Sequence, residues 1–301
     1  MSPAPVVQLS DTHFLEPGAE AEGGGAYDTA AAFEAVLGDV ERHLDPDLVV
    51  VTGDVADHGR PEQYRLAADS LGRFAAPVNV CPGNHDRAVA FDAGLGRADV
   101  STTRVIELGA WALVFADSCA GVQRPDEHGL PVDPPVEERL HSNGSLGSAE
   151  ASWIRRVVEA SPAEHVFVWL HHPPVPGIAM YRNDDYLAEW RALLADLPKV
   201  RGLGAGHTHV PAELELDGRP IFVAPSLKNN FDLEAGTWLP PGYRSYRFHD
   251  DGTVESEVHL VDGDAWPRRP LGRALRSLFA GEISMTELME IVERRAAERG
   301  G

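Results

Sequence analysis

Five clusters of metal-ligand side chains punctuate the 301-residue chain: Asp11-Thr12-His13, Gly53-Asp54, Asn84-His85-Asp86, His171-His172 and Gly206-His207-Thr208-His209. Imidazole nitrogen and carboxylate oxygen suit transition metals of intermediate hardness, and two such ions can share one carboxylate. Asp11, His13 and one histidine of the Gly-His-x-His pair are enough for one ion. Asn84, His171 and the other histidine of that pair are enough for a second, with Asp54 as the natural bridge. Two divalent ions, set against two carboxylates and one shared hydroxide, keep about one unit of positive charge. That remainder suits a phosphodiester monoanion or a phosphomonoester, and a neutral Asn84 in place of a third aspartate preserves it. Paired ions ~3.5–4 Å apart steady the attacking and leaving oxygens of an in-line displacement. A hydroxide held by metal is therefore expected to attack phosphorus without a protein base. His85 is the candidate proton donor to the leaving alkoxide, and Asp86 the candidate to orient its ring.

Each cluster alone is weak evidence; their placement strengthens it. Val6-Val7-Gln8-Leu9, Leu48 to Thr52, Pro77 to Val80, His165 to Leu170 and Val200 to Leu203 read as buried strands, and each runs into one of the clusters. Alternate strand residues share a face, so Asp11 and His13 can enter one crevice together. Between the strands, Phe33, Val36, Leu37, Val40 and Leu44 fall at helical spacing behind a capping Asp28 or Thr29. A second helix opens at Pro61 with Tyr64, Ala67, Ala68, Leu71 and Phe74 inward. A third is capped by Ser148 and carries Trp153, Ile154, Val157 and Val158; a fourth lies around Tyr186 to Leu197. Apolar strands alternating with helices predict an α/β sheet covered on both faces, with its site at the strands' C-terminal ends. The second half is more antiparallel: Arg104 to Leu108 pairs with Trp111 to Asp117, and hairpins form around Asp217-Gly218 and Asp251-Gly252.

Residues 1–262 read as the catalytic domain, with a surface insertion at about 120–143, and 263–301 as a C-terminal helical extension. In that extension Ser284 and Glu287 form a capping box before an apolar stripe of Leu288, Ile291 and Val292. The stripe is expected to pack on its own domain, a homodimer contact being the alternative. Glu16 to Ala26 is glycine-rich and expected to be a mobile loop.

With 26 basic against 47 acidic residues the net charge is −21, which disfavours nucleic acid and anionic lipid as partners. No basic stripe supports a nuclease. No apolar run approaches the ~20 residues of a membrane span. Met1 to Pro5 places no cationic segment before an apolar run, so no signal peptide is expected. Cys81 and Cys119 make no disulfide framework, which points to the cytoplasm. His43, His58, His165, His249 and His259 read as structural, and His128 and His141 as exposed residues of the insertion. Asp57 is expected to cap or turn the loop after Asp54, and Cys81 to pack beside its strand. Arg87, Tyr181, Arg182, Lys228, Asn229, Asn230 and Phe231 sit on loops near strand ends. Solvated loop positions are the default for them, and contact with a base or phosphate the alternative.

Ser-Asp-Thr-His at 10–13, Gly-Asp at 53–54, Pro-Gly-Asn-His-Asp at 82–86, His-His-Pro-Pro at 171–174, Gly-His-Thr-His at 206–209 and Pro-Pro-Gly-Tyr-Arg at 240–244 carry a resemblance. Over roughly residues 5–260 the chain resembles the calcineurin-like metallophosphoesterase superfamily. Within it, the chain is most similar to the class III cyclic-nucleotide phosphodiesterases and the bacterial glycerophosphodiesterases. The resemblance implies a four-layer α/β/β/α sandwich of two mixed β-sheets flanked by helices, and a dinuclear Fe, Mn or Zn centre. It implies Asp11, His13, Asp54 and His209 around one metal, and Asp54, Asn84, His171 and His207 around the other. His171 is preferred to His172 because the family's ligand stands at the strand end, two residues before a proline. Asn84, His85 and His172 are then expected on the substrate side, His172 as support rather than as a ligand. The implied activity is hydrolysis of small phosphodiesters, 3′,5′-cyclic nucleotides first. Glycerophosphodiesters or a phosphomonoester are the alternatives, and a non-catalytic scaffold is the reading from a different class. The insertion and the tail after residue 262 have no counterpart in the resemblance.

Overall fold

The computed structural model describes residues 5–19, 21, 27–96, 99–122, 124–125, 131–132, 142–266, 268–284, 287–288, 290–291 and 294. In chain order the first strands are β1 (Pro5–Leu9), β2 (Leu48–Thr52), β3 (Val78–Cys81), β4 (Val100–Ser101), β5 (Val105–Leu108), β6 (Trp111–Phe115), β7 (Arg124–Pro125) and β8 (Pro131–Val132). They continue as β9 (His165–Trp169), β10 (Val200–Ala205), β11 (Ala212–Leu216), β12 (Arg219–Val223), β13 (Asn230–Asp232), β14 (Thr237–Leu239), β15 (Gly242–Phe248) and β16 (Val254–Leu260). The helices are α1 (Thr29–His43), α2 (Pro61–Leu71), α3 (Ala88–Leu95), α4 (Gly147–Ala160), α5 (Asp184–Ala195) and α6 (Arg273–Phe279).

Two six-stranded sheets carry the fold, ordered β16-β15-β1-β2-β3-β4 and β11-β12-β10-β9-β6-β5. Each has parallel strands at its centre and antiparallel additions outside: β1, β2, β3 and β4 run parallel, as do β6, β9, β10 and β12. β15 and β16, and likewise β5 and β11, run antiparallel to their neighbours.

The period-two pattern of the strands sorts their side chains into three cores. Val7, Leu9, Val49, Val51, Val78 and Val80 face α1, α2 and α3. Ala112, Val114, Val166, Val168 and Leu203 face α4 and α5. Between the sheets lie the larger residues Trp111, Leu113, Phe115, Phe167, Trp169 and Phe222 of one sheet, facing Tyr246, Phe248, Val6, Leu48 and Val50 of the other. Bulky rings thus fill the sheet-to-sheet layer, and compact β-branched residues let the helices sit close. This is the four-layer α/β/β/α sandwich of two mixed sheets.

Asp28 caps α1 by accepting from Ala30 N at 2.9 Å and Ala31 N at 3.1 Å. Ser148, expected to cap α4, lies instead in that helix's first turn. The entry is set by fully buried Leu146, whose N–H donates to Glu189 Oε2 at 2.8 Å, so packing fixes it rather than a side-chain cap. The Asp217-Gly218 turn has φ of 49° and 81°, the signature of a type I′ hairpin. Helix α3 and the hairpin of β13 and β14 had no sequence expectation; both are short. Of the expected insertion, residues 123, 126–130 and 133–141 lie outside the described residues, and so do His128 and His141. So do residues 20 and 22–26 of the glycine-rich loop, Met1 to Ala4 and Val292. The Ser284–Glu287 capping box forms, with Glu287 N donating to Ser284 Oγ at 3.2 Å and Ser284 N to Glu287 Oε2 at 2.7 Å. Leu271 and Phe279 of the C-terminal segment pack against Ile178 and Phe231 of the same chain.

Candidate metal centre

The C-terminal ends of β1, β2 and β3 in one sheet, and of β9 and β10 in the other, converge on one spot. Under it the two sheets are tied together by Gln8, fully buried, whose Nε2 donates to Thr52 Oγ1 at 2.7 Å and to Ala205 O at 2.9 Å. Pairing continues past the strands, with Asp11 N donating to Gly53 O at 3.1 Å and His13 N to Asp54 O at 2.8 Å.

Here the backbone bends sharply. Six described non-glycine residues have positive φ, and five belong to the site: Asp11 at 52°, His13 at 43°, Asp54 at 51°, His207 at 68° and His209 at 54°. Each such conformation costs on the order of 1–3 kcal/mol and persists where the surroundings over-determine it, most often at functional sites. Two glycines allow the close approach. A Cβ on Gly83 would stand 2.2 Å from Asp54 Oδ1, and one on Gly53, at φ 83°, would stand 2.7 Å from His171 Nδ1.

The ligand-type atoms of Asp11, His13 and His209 lie within 4.8 Å of one another, as do those of Asp11, Asp54 and His171. His209 Nε2 is 3.1 Å from Asp11 Oδ1, while His13 Nε2 is 3.6 Å and His171 Nε2 3.3 Å from Asp54 Oδ2. Asn84 Oδ1 is 3.1 Å from both His171 Nε2 and His207 Nδ1. The histidines are held from behind. His171 Nδ1 bonds Thr52 O at 2.8 Å, His209 Nδ1 bonds Asn229 Oδ1, and His13 Nδ1 lies 2.9 Å from Asp57 Oδ1. Tying Nδ1 away turns Nε2 toward the carboxylates, the arrangement that orients metal-binding imidazoles.

Charges follow the geometry. Burial pushes the Asp11 carboxyl up, but the charge and hydrogen bond of His209 outweigh it and hold the group well below the ordinary carboxylate range. Asp54 behaves likewise, burial being outweighed chiefly by His171. His171 is pushed down by burial, yet the Asp54 carboxylate raises it to about 9. Burial, with the Lys228 charge next, lowers His13 to about 3, and burial with His172 holds His207 well below the usual imidazole value. Nε2 of His13 and Nε2 of His207 are buried without a hydrogen bond. Orphaned nitrogens of neutral rings beside two ionised carboxylates fit a pair of transition-metal ions.

The seven expected ligands are thus brought together, and His85 joins them on the rim, its Nε2 3.9 Å from Asp54 Oδ2. Two expectations need correction. Asp86 does not orient His85: it is fully buried and accepts from Gly83 N at 2.8 Å, Val55 N and Ala56 N at 3.2 Å each, and Tyr64 Oη at 3.0 Å. It braces the turns that carry Asp54 and Asn84, while His85 Nδ1 bonds the Asp57 carbonyl at 2.7 Å. His172 does not face substrate, because its Nδ1 meets Ser118 Oγ at 2.8 Å and its Nε2 Ser142 O at 3.0 Å. Its ring instead leans on His207 at 4.2 Å between centroids.

The sequence reading missed Asp57 as more than a turn residue and Lys228 as more than a loop residue. Lys228 is 4% exposed, and its Nζ donates to Asp57 Oδ1 at 2.7 Å. One signal existed: of the chain's 26 basic residues two are lysines, Lys199 and Lys228.

Among proteins of known identity, the 3′,5′-cyclic adenosine monophosphate phosphodiesterase CpdA of Escherichia coli (strain K12) is 29% identical over 268 residues, 85% of this chain and 89% of that protein. A probable glycerophosphodiester phosphodiesterase, GpdQ of Arcobacter nitrofigilis, is 29% identical over 212 residues, 68% of this chain and 71% of its own length. A dimetal phosphatase from Danio rerio superposes with a TM-score of 0.60 at 16% identity, covering 87% of this chain and 100% of that one, which bears on the fold alone. The sequence model of the calcineurin-like phosphoesterases matches residues 4–211, over the strands that bring the ligand clusters together. By that match, with the sandwich and the donor set at its strand ends, the chain belongs to the calcineurin-like phosphoesterase family of metal-dependent phosphoester hydrolases.

Proposed function

We propose that the chain hydrolyses small phosphodiesters, 3′,5′-cyclic nucleotides first among them. The observation that carries this reading is the pair of donor sets that meet at Asp54, with a partly buried imidazole, His85, beside them. Asp11, His13 and His209 with Asp54 would hold one ion, and Asn84, His171 and His207 with Asp54 the other. The ions, Fe, Mn or Zn, would supply an acidified water and neutralise charge on the phosphate. The chain's own residues do the rest. Asn84 adds an oxygen without adding negative charge, which leaves the site attractive to a phosphodiester monoanion. His85 keeps its Nδ1 on the Asp57 carbonyl and turns Nε2 toward the cleft, where it gives a proton to the leaving oxygen. The names of the CpdA relatives support a cyclic nucleotide as substrate, and the GpdQ relative supports diesters more broadly. The two buried cysteines, neither in a disulfide, fit the reducing cytoplasm. No helix among the described residues is long and apolar enough to cross a membrane.

The test is hydrolysis of 3′,5′-cyclic AMP, a glycerophosphodiester and an activated aryl diester by manganese-loaded protein. Turnover of cyclic AMP above the glycerophosphodiester is expected. Turnover of the aryl diester alone would leave diester hydrolysis standing and remove the cyclic nucleotide.

A further inference from the structure

One stretch of chain, Ser226 to Phe231, backs the whole first half of the metal site. Leu227 N donates to Asp11 O at 3.2 Å, and Phe231 N to His209 O at 2.9 Å. Asn229 Oδ1 takes the Nδ1–H of His209. Between these, Lys228 reaches inward to Asp57, and the Asp57 oxygen it bonds is also the one 2.9 Å from His13 Nδ1. The carbonyl of Asp57 holds His85 Nδ1 at 2.7 Å. Both members of the Lys228–Asp57 pair are buried, at 4% and 0% exposure.

We propose that Ser226–Phe231 is a positioning strap for the ion held by Asp11, His13 and His209, and that Lys228, acting through Asp57, is the positioning residue that sets both His13 and His85. The inference rests on the two-metal reading above. A histidine ligand binds through a free lone pair, so the proton on its other nitrogen needs a fixed acceptor. Asp57 is that acceptor for His13, but a carboxylate buried this deeply needs a counter-charge and a locked rotamer. Lys228 gives both, because it bonds the oxygen that faces the imidazole. Buried ion pairs are often replaced by apolar side chains of similar volume without loss of stability, so stability alone is a poor reason for this one. A compact ammonium also suits the spot better than the broad guanidinium fork used for nearly all other cations in the chain.

The experiment titrates manganese into metal-free full-length protein, followed by electron paramagnetic resonance and calorimetry, for wild type, Lys228→Met and the double variant Lys228→Met/Asp57→Leu. Wild type should bind two ions. Lys228→Met should lose about 10–100-fold in affinity for one ion and keep the other. It leaves Asp57 buried without its partner, so it should also unfold at lower temperature. The double variant should regain thermal stability without regaining the lost affinity, and the pH profile of its turnover should differ from that of wild type. Unchanged affinity in Lys228→Met would overturn the proposal. Recovery of affinity and stability together in the double variant would also overturn it, reducing the pair to a structural staple. Wild-type protein that binds fewer than two ions would sink the two-metal reading itself, an outcome distinct from both.

Discussion

Asp54 stands among three histidines: His13, His85 and His171 approach its Oδ2, while its Oδ1 accepts from His85 N at 2.9 Å. On the proposed assignment its Oδ1 would hold the loop and its Oδ2 would face both donor sets. Asn84 has no such redundancy, since one amide oxygen serves both His171 and His207. Asn84→Ala should lose one of two manganese ions and about 10²-fold or more in diester turnover, with an unchanged circular dichroism spectrum; full activity would remove Asn84 from the site. His85→Ala should keep both ions and slow turnover by about 10²–10⁴-fold, the usual span for a lost general acid, and equal turnover would refute that role. His171 gives the pH dependence. In metal-free protein its pKa is raised from 6.5 to about 9, so its pairing with Asp54 contributes stability that is fully present below pH 6.5 and lost as the pH rises through 9. Binding an ion must expel that proton, so apparent manganese affinity should fall about tenfold per unit below pH 9, read by calorimetry at two pH values. A pH-independent affinity would contradict it. The candidate ligands were legible in the sequence because they cluster just past apolar strands, three of them, Asp54, Asn84 and His207, directly after a glycine. Lys228 was not, because its partner Asp57 is 171 residues away and only folding joins them.

At the scale of elements, the longer strands were legible nearly to the residue, since a run such as Leu48 to Val51 is apolar at every step and is followed by Thr52 and a glycine. What the sequence hid was direction and facing. Continuous apolar runs say that both faces are covered, not which face meets the other sheet. The answer lies in size: Phe167 and Trp169 of β9 point into the sheet-to-sheet layer, and Val166 and Val168 point to the helices. Trp169 packs on Phe167 at 4.7 Å and Tyr246 at 5.0 Å between ring centroids, two residues before His171. Trp169→Ala should therefore cost about 3–5 kcal/mol of unfolding free energy by denaturant titration. A cost under about 1 kcal/mol would mean that the aromatic layer does not hold the sheets in register. Short elements such as α3 escaped because eight residues carry too little periodicity, and Ser148 misled because a polar residue near a helix start caps it only when packing leaves the entry free.

For the whole molecule, the charge of −21 sets how substrate arrives. A phosphodiester monoanion is repelled at long range and welcomed only inside the cleft. Raising ionic strength from about 10 mM to about 150 mM shortens the screening length from about 30 Å to about 8 Å. The kcat/KM for a charged diester should then rise severalfold, while that for a neutral ester analogue should not. A fall with salt would show that the local cationic field reaches past the acidic surface. The distribution of ligands has one more consequence, in the order of synthesis. On the proposed assignment each ion draws donors from both sheets, from residues 11 to 84 on one side and 171 to 209 on the other. A growing chain therefore completes one cage only at His207 and the other only at His209, after both sheets have met. Metal choice then falls to the finished cage, after folding, rather than to whichever ion first encounters the nascent chain.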